Sequence, residues 1–470
     1  MTLELIISLA ESLILLYFLG VNTFYAGLLL SAAFELRHHK REVRGEHRWR
    51  ILGSEVAPRI TMLAPAHNEE ATVVDSISGL LNHYYPNLEV VVINDGSKDG
   101  TLEALLTHFE MKPVEPLYDR RITTQPIRGL YRSAREPNLM VVDKHNGGKA
   151  DALNLGLQIA RGTLVCALDA DTIVEPDALS KLVRPFLLRD DVVAAGGTLR
   201  VVNDSEIDGA RVTAPRTPRH ALAGFQAVEY VRAFLFGRLG LNRLGGNLII
   251  SGAFGLFRRA SVLEAGGYSH GSVGEDMELV IRLRRKGYLE GTPSQVEFIP
   301  DPVAWTEVPP RLSILMRQRD RWHRGLADAL WRHRGMFFNP RYGKMGMLAF
   351  PYFVLVELLA PVIEAWGLVV LLLTVYLGSI NLTFAVAFFL VAYVYGTILS
   401  AMAALLDETA YGGLQRLRDR FWLLWWALLE PVGYRQITVY SRLKGLVKFL
   451  LGRTDWGKME RIGFAKKSTA

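Results

Sequence analysis

Residues 13–34 carry no charge and are long enough to cross a bilayer. Backbone in hydrocarbon must satisfy its own hydrogen bonds, so this stretch can only be a helix. Glu4 and Glu11 precede it; Arg37, His38, His39, Lys40, Arg41 and Arg44 follow. A cleavable signal peptide would carry its basic residues on the other side, so the run reads as an anchor. The positive-inside rule places everything after Arg37 in the cytoplasm. Two more runs, 345–377 and 382–406, repeat the pattern, and Glu357 and Glu364 lie inside the first. A charge at that depth is costly, so both should face protein or a water-filled interior. Residues 421–451 are apolar but interrupted by Glu430, Pro431 and Gly433, which fits a re-entrant hairpin, one tilted span or two short helices. With a basic tail at 452–470, the chain reads as a multi-pass protein of the plasma (inner) membrane.

The middle of the chain is different. At 50% hydrophobic and 21% charged, the whole is too apolar for an ordinary soluble protein and too charged for a pure transporter. A formal charge of +7 fits cytoplasmic basic flanks, and no motif supports a nucleic-acid partner. The single cysteine, Cys166, rules out an internal disulfide and reads as a small buried hydrophobe. From residue 60, strand, polar turn and helix alternate: an apolar run over 60–66 ends in His67-Asn68-Glu69-Glu70, and 71–81 has helical spacing. A second run over 88–93 ends in Asn94-Asp95-Gly96-Ser97. That alternation predicts a parallel sheet with ligands at the carboxyl ends of its strands. Asp95 then either accepts hydrogen bonds from a uracil or ribose or is plain turn chemistry. Residues 111–138, rich in proline and arginine, read as a loop or insertion. A third strand, 139–142, runs into Gly147-Gly148-Lys149, where the backbone can approach a ligand and Lys149 can meet phosphate at a helix start.

A fourth apolar run ends in Asp169-Ala170-Asp171. On an extended strand, positions i and i+2 share a side, so both carboxylates would face one point. They would repel unless a hard cation, Mg²⁺ or Mn²⁺, sat between them and substrate phosphates.

Taken together, Ala64-Pro65-Ala66-His67-Asn68-Glu69-Glu70, Asn94-Asp95-Gly96-Ser97, the run from Gly147 through Lys149 and Asp151 to Asn154, and Asp169-Ala170-Asp171 resemble the donor-binding half of family 2 glycosyltransferases. Ser251-Gly252-Ala253-Phe254-Gly255 resembles that family's acceptor turn, and Gly274-Glu275-Asp276 its catalytic-base motif. Gln318-Arg319-Asp320-Arg321-Trp322 is similar to the signature of the membrane-embedded processive members, the poly-N-acetylglucosamine, hyaluronan, chitin and cellulose synthases. The resemblance implies an α/β GT-A domain that transfers a hexose or N-acetylhexosamine from a UDP-sugar with inversion. The acceptor would be a growing polysaccharide or a lipid, with an accessory membrane subunit among the implied partners. Asp276 would be the base, with Glu275 the runner-up. Asp171 would hold the metal, with Asp169 at the metal or ribose. Pro65, His67, Glu69, Asp95, Lys149, Asp151, Gln318 and Arg321 would contact the donor, as would Trp456, whose Trp-Gly element resembles one in hyaluronan-type synthases. Ser251, Gly252 and Trp322 would contact the acceptor. The simpler readings are an acidic helix start for Gly274-Glu275-Asp276 and a buried structural role for Trp322. The implied layout is an anchor over 1–36, a cytoplasmic domain over 55–305, amphipathic interface helices over 306–344 and a membrane region over 345–451. Residues 221–238 read as a further interfacial helix, because Phe234, Leu235 and Phe236 otherwise need protein to cover them. The rivals are a non-processive enzyme acting on a lipid and a non-catalytic scaffold; intact Asp95, Asp169, Asp171, Asp276 and Trp322 argue against the scaffold.

Overall fold

Buried on both faces, strands of a covered sheet read as continuous apolar runs, and the runs named above form such strands. The computed structural model describes residues 3–43, 57–116, 118–169, 172–208, 211–378, 381–412, 414 and 416–453. The chain divides into two units: residues 1–40, 215–247 and 308–457 form the first, and 41–214, 248–307 and 458–470 the second.

The second unit is built on a ten-stranded mixed sheet. Its strands are β1 (Ile60–Ala66), β2 (Leu88–Asp95), β3 (Met111–Pro113), β4 (Ile127–Ser133), β5 (Leu139–Lys144) and β6 (Leu164–Leu168). Next come β7 (Thr172–Val174), β8 (Val192–Val201), β9 (Glu206–Asp208), β10 (Arg211–Ala214), β11 (Phe254–Arg258) and β12 (Gln295–Thr306). The order is β3-β4-β5-β2-β1-β6-β11-β8-β12-β7, with β9 and β10 forming a separate pair. The four central strands β5, β2, β1 and β6 are parallel. β11 runs antiparallel to β6 and β8, so the parallel expectation holds for this centre and for the separate pair β8–β12 but not for the whole sheet. From β1 the chain goes to β2 on one side and later to β6 on the other. A switch of that kind opens a crevice beyond the strands' carboxyl ends. Residues 111–138 also depart from the loop reading, since β3 and β4 extend the sheet there as an antiparallel edge.

Helix Lys149–Ile159 is buried from Asp151 to Ile159. Its Leu153 and Leu157 share a core with Leu63, Val91, Ile93 and Val165 of the central strands. That packing fixes where its first residue, Lys149, stands above the strand ends.

Among the described residues, three helices are long and apolar enough to cross a membrane: Leu5–Glu42, Met345–Tyr376 and Leu382–Tyr411. Side chains set their register. Asn381 donates to Glu11 at 3.3 Å, Asn22 to the Val391 carbonyl at 2.7 Å and Lys40 to that of Thr409 at 3.1 Å, so the first and third helices run parallel. Tyr17 donates to the Leu355 carbonyl at 3.1 Å and the Phe24 and Tyr352 rings lie 5.3 Å apart, so the middle helix runs the other way. The two carboxylates inside the middle helix have protein partners. Arg435 grips Glu364 through two hydrogen bonds of 2.8 and 2.9 Å, and Arg442 lies 3.7 Å from Glu357.

Residues 421–451 resolve into two helices, Leu417–Leu429 and Tyr434–Leu450, broken at the Glu430-Pro431 step. Glu430 is buried and bound by Arg232 at 2.5 and 2.9 Å.

The soluble block expected over 55–305 is interrupted, because 215–247 belongs to the first unit. Helix Ala221–Phe234 and the wider turn Leu235–Gly240 bury Phe234, Leu235 and Phe236. Phe236 stacks on Tyr25 at 5.6 Å, and Ser31 donates to the Gly240 carbonyl at 2.9 Å. Protein covers these residues, which removes the reason for reading 221–238 as an interfacial helix.

Candidate active site

The strand ends of the second unit carry a dense charged network. β5 ends in Lys144, a fully buried lysine. Its ammonium lies 2.5 Å from Asp95 and 2.7 Å from Asp151, and it donates to the His145 carbonyl at 2.7 Å. Two carboxylates flank one ammonium away from water. Such an arrangement persists only because each charge is paired and hydrogen-bonded.

Asp95, expected at the donor, is held by several protein donors. Oδ1 accepts from Lys144 at 2.5 Å and from the Gly147 N–H at 2.9 Å; Oδ2 accepts from the Gly148 N–H at 2.8 Å and from Asn146 at 3.3 Å. A carboxylate offers about four acceptor sites. Protein donors reach these sites, and through them Asp95 staples the glycine turn. Asp151, expected at the donor, likewise faces inward: it is buried and accepts from the Gln125 N–H at 3.2 and 3.1 Å. The turn itself needs glycine at Gly148, whose φ is +85°.

That staple delivers Lys149. Its ammonium lies 2.5 Å from Asp169 and 3.4 Å from the Gly252 carbonyl. Burial works against the charged ammonium, but Asp169, Glu275 and Asp276 outweigh it and hold the Lys149 pKa above its ordinary value. β6 ends at Leu168, so Asp169 lies past the strand, and its carbonyl accepts from the Thr172 N–H at 3.1 Å. The strand therefore ends before Asp169. Asp171 lies outside the described residues, as does Trp456.

Glu275 and Asp276 open helix Glu275–Leu289. Asp276 accepts from the Gly252 N–H at 3.0 Å and from the Met277 N–H at 2.8 Å. A Cβ on Gly252 would meet Asp276 Oδ2 at 3.1 Å, so the close approach depends on glycine. Glu275 is 8% exposed. Its burial, then the neighbouring Asp276, push its pKa up to about 7 against the pull of Lys149. A cavity of about 280 Å³ is lined by Lys149, Ser251, Gly252, Tyr268, Glu275 and Asp276, among others.

Asn154, fully buried, joins the two halves of this site. It donates to the Tyr268 carbonyl at 2.9 Å and accepts from the Tyr268 N–H at 2.7 Å. The Lys149 helix is thereby clamped to the segment leading into Glu275. Lys144, Asn146 and Tyr268 escaped the sequence reading. The one signal was a lysine two residues past an apolar run, in Leu139-Met140-Val141-Val142-Asp143-Lys144.

Of the β1-end residues, Pro65 and Glu69 line a second cavity of about 380 Å³. His67 is exposed, with Nδ1 at 2.8 Å from the Asp95 carbonyl oxygen. Among the described residues no three His, Cys, Asp or Glu side chains gather as a metal site.

Gln318, Arg321 and Trp322 stand on helix Leu312–Arg332 of the first unit. Gln318, expected at the donor, accepts from Arg319 at 2.8 Å. Arg319 also pairs with Glu229 at 2.7 Å, and its guanidinium lies 4.3 Å from the Trp322 ring centre. Trp322 is 44% exposed, so the buried-tryptophan alternative does not hold.

The family described as Glycosyl transferase family 2 matches residues 61–265, and that described as Glycosyl transferase family group 2 matches 164–399, half of the chain. A probable glycosyltransferase of Bacillus subtilis is 28% identical over 68% of this chain and 66% of its own length. A poly-beta-1,6-N-acetyl-D-glucosamine synthase of Staphylococcus aureus is 29% identical over 68% of this chain and 64% of its own. The match thus spans just under two thirds of these relatives. A mannosyltransferase from Pyrobaculum calidifontis, solved with GDP-Man and Mn²⁺, superposes with a TM-score of 0.54 at 19% identity, over 92% of this chain and all of that one, and shares the fold. The mixed sheet of the second unit is accordingly a GT-A fold, and the chain belongs to the family 2 glycosyltransferases.

Proposed function

We propose that this glycosyltransferase elongates a polysaccharide processively from a UDP-sugar, with inversion, and passes the product through its membrane helices. The observation that carries the chemistry is one cavity holding an ammonium, Lys149, opposite two carboxylates, Glu275 and Asp276, at the acceptor turn Ser251-Gly252.

In a single displacement the acceptor hydroxyl oxygen bonds to the anomeric carbon as the bond from that carbon to the diphosphate oxygen breaks. The hydroxyl proton passes to Asp276. Each Asp276 oxygen takes one backbone N–H, which leaves further acceptor sites, and it is Asp276 that contacts the acceptor turn. Glu275 is more deeply buried, and that burial, with the neighbouring Asp276, pushes its pKa up to about 7. The departing diphosphate carries the negative charge, and Lys149 stands where that charge develops. Asp169 and Asp171 supply the hard oxygen ligands that Mg²⁺ or Mn²⁺ prefers, and the ion would neutralise the diphosphate there. Pro65, His67 and Glu69 would border the nucleoside, and Trp322 would offer a sugar its open face. Asp95 and Asp151 act in this reading by holding the Gly147-Gly148-Lys149 turn. The catalytic domain would face the cytoplasm, on the side of Arg37 and Lys40.

The test uses membranes carrying the protein, Mg²⁺ or Mn²⁺, and labelled UDP-N-acetylglucosamine, UDP-glucose, UDP-glucuronate or GDP-mannose. GDP-mannose serves as the control for a donor carrying a different base. A high-mass water-soluble product, absent with Asp276→Asn while UDP binding persists, is the expected result. A small solvent-soluble product would replace the polymer with a lipid acceptor. Loss of UDP binding in Asp276→Asn would overturn its assignment as base.

A further inference from the structure

Between helix Leu312–Arg332 and the span Met345–Tyr376 the chain makes two short turns, Arg334–Met336 and Pro340–Tyr342. Residues 329–356 contain no Asp or Glu, but they do contain Arg332, Arg334, Arg341 and Lys344. Trp331 (60%), Phe337 (39%) and Phe338 (52%) are exposed, while His333, Met336 and Tyr342 are buried beneath them. The surface is ordered. The Asn339 side chain donates to the Gly335 carbonyl at 2.9 Å and accepts from the Arg341 N–H at 3.0 Å. Phe338 is held at a φ of +49°, a conformation that costs a non-glycine residue, with its ring 4.6 Å from that of Phe337. The Arg334 guanidinium lies 4.9 Å from the Trp331 ring centre. Water gives no reason to present three aromatic rings among cations, whereas aromatic bodies with basic rims suit the headgroup layer of a membrane.

We propose that residues 331–344 form a docking surface for anionic phospholipid headgroups in the leaflet that the Met345 span enters. Trp331, Phe337 and Phe338 reach the acyl boundary, and Arg334, Arg341 and Lys344 take the phosphates. Two observations select this occupant: the surface runs directly into a membrane-length helix, and its charge is of one sign. The Lys40–Thr409 and Phe24–Tyr352 contacts place it at the same end of the helices as Arg37, Lys40 and Arg41. Docking fixes the depth of the helix that carries Gln318, Arg321 and Trp322, independently of the sugar transferred.

The test uses the full chain with a fluorophore at Gly335→Cys, where an added Cβ meets nothing within 4 Å and the one native cysteine is buried. Labelled protein is reconstituted in phosphatidylcholine vesicles with or without phosphatidylglycerol, and quenching by brominated acyl chains reports depth. A label at Leu372→Cys, an exposed span residue, confirms insertion. Quenching at Gly335→Cys should rise with phosphatidylglycerol, and Arg334→Gln/Arg341→Gln/Lys344→Gln should remove that rise. With about 1 kcal/mol per cation near an anionic surface, each loss lowers the docked-to-undocked ratio roughly fivefold. A rise that survives in the triple variant, or quenching indifferent to lipid charge, overturns the headgroup assignment. No quenching in either lipid, with Leu372→Cys quenched, overturns docking and assigns the surface to a protein partner.

Discussion

Lys144→Met tests the claim that the donor-side turn is held by a buried ion triad rather than by its own loop chemistry. The ammonium sits between Asp95 and Asp151 at 2.5 and 2.7 Å with no exposure to solvent. Methionine keeps most of the side-chain volume and leaves two buried carboxylates facing each other without a counter-ion. Removing one partner of a buried pair costs about 3–5 kcal/mol, because the remaining charge stays desolvated. For a domain this size, each kcal/mol lowers Tm by roughly 2–4 °C, so the variant should unfold about 6–20 °C earlier. The compensating double variant Lys144→Met/Asp151→Asn again has one carboxylate fewer. The amide introduced at position 151 can donate to Asp95 while still accepting from the Gln125 N–H, so most of the lost stability should return. The assay is thermal unfolding of the purified protein in detergent, followed by calorimetric UDP binding at a temperature where both variants are folded. Weaker binding in the single variant, partly recovered in the double, would show that the triad positions Lys149. A single variant within about 2 °C of the parent, or a double variant less stable than the single, would refute the reasoning.

Three further outcomes follow from the same geometry. Asn154→Ala leaves the Tyr268 N–H and carbonyl without their partner, costing about 1–3 kcal/mol for each buried group left unsatisfied, and should lower kcat more than donor affinity. In Glu275 the folded state keeps a proton up to about pH 7 that the unfolded chain, near 4.5, has already released. Between those values stability therefore falls as pH rises, so Glu275→Gln should raise Tm at pH 8 and change it little at pH 4.5, as pH-dependent melting would reveal. Chelation of divalent metal should stop transfer while the folded protein survives; product formation that continues in excess chelator would remove Asp169 and Asp171 from diphosphate chemistry.

Much of the site was readable because the chemistry sits at strand ends, where a hydrophobic run gives way abruptly to polar residues. Asp169 was singled out this way, Lys149 from a glycine turn that opens a helix, and Asp276 only through the resemblance. The protein partners of Asp95 were not legible, because they are Lys144 and two glycine N–H groups more than fifty positions away. Lys144 itself was hidden by rule of thumb: a lysine in sequence reads as surface, and only paired carboxylates make its burial tolerable. Glu357 and Glu364 were expected to face protein or a water-filled interior, since hydrocarbon excludes a bare charge, but their partners Arg442 and Arg435 come from a helix whose character hydropathy left open.

Local sequence determined the span lengths, the α/β alternation and the residues able to do chemistry, because these follow from periodicity, bilayer thickness and side-chain type. Tertiary structure alone decided that residues 215–247 join the unit of the membrane-length helices, that β3, β4 and β11 turn the sheet mixed, and that Asp95 meets Lys144 and the glycine turn while Asp276 lines the cavity. The physical reason is the same in each case: a strand's pairing partner and a carboxylate's counter-charge are chosen by non-local packing, and nothing in a residue's immediate neighbours records that choice.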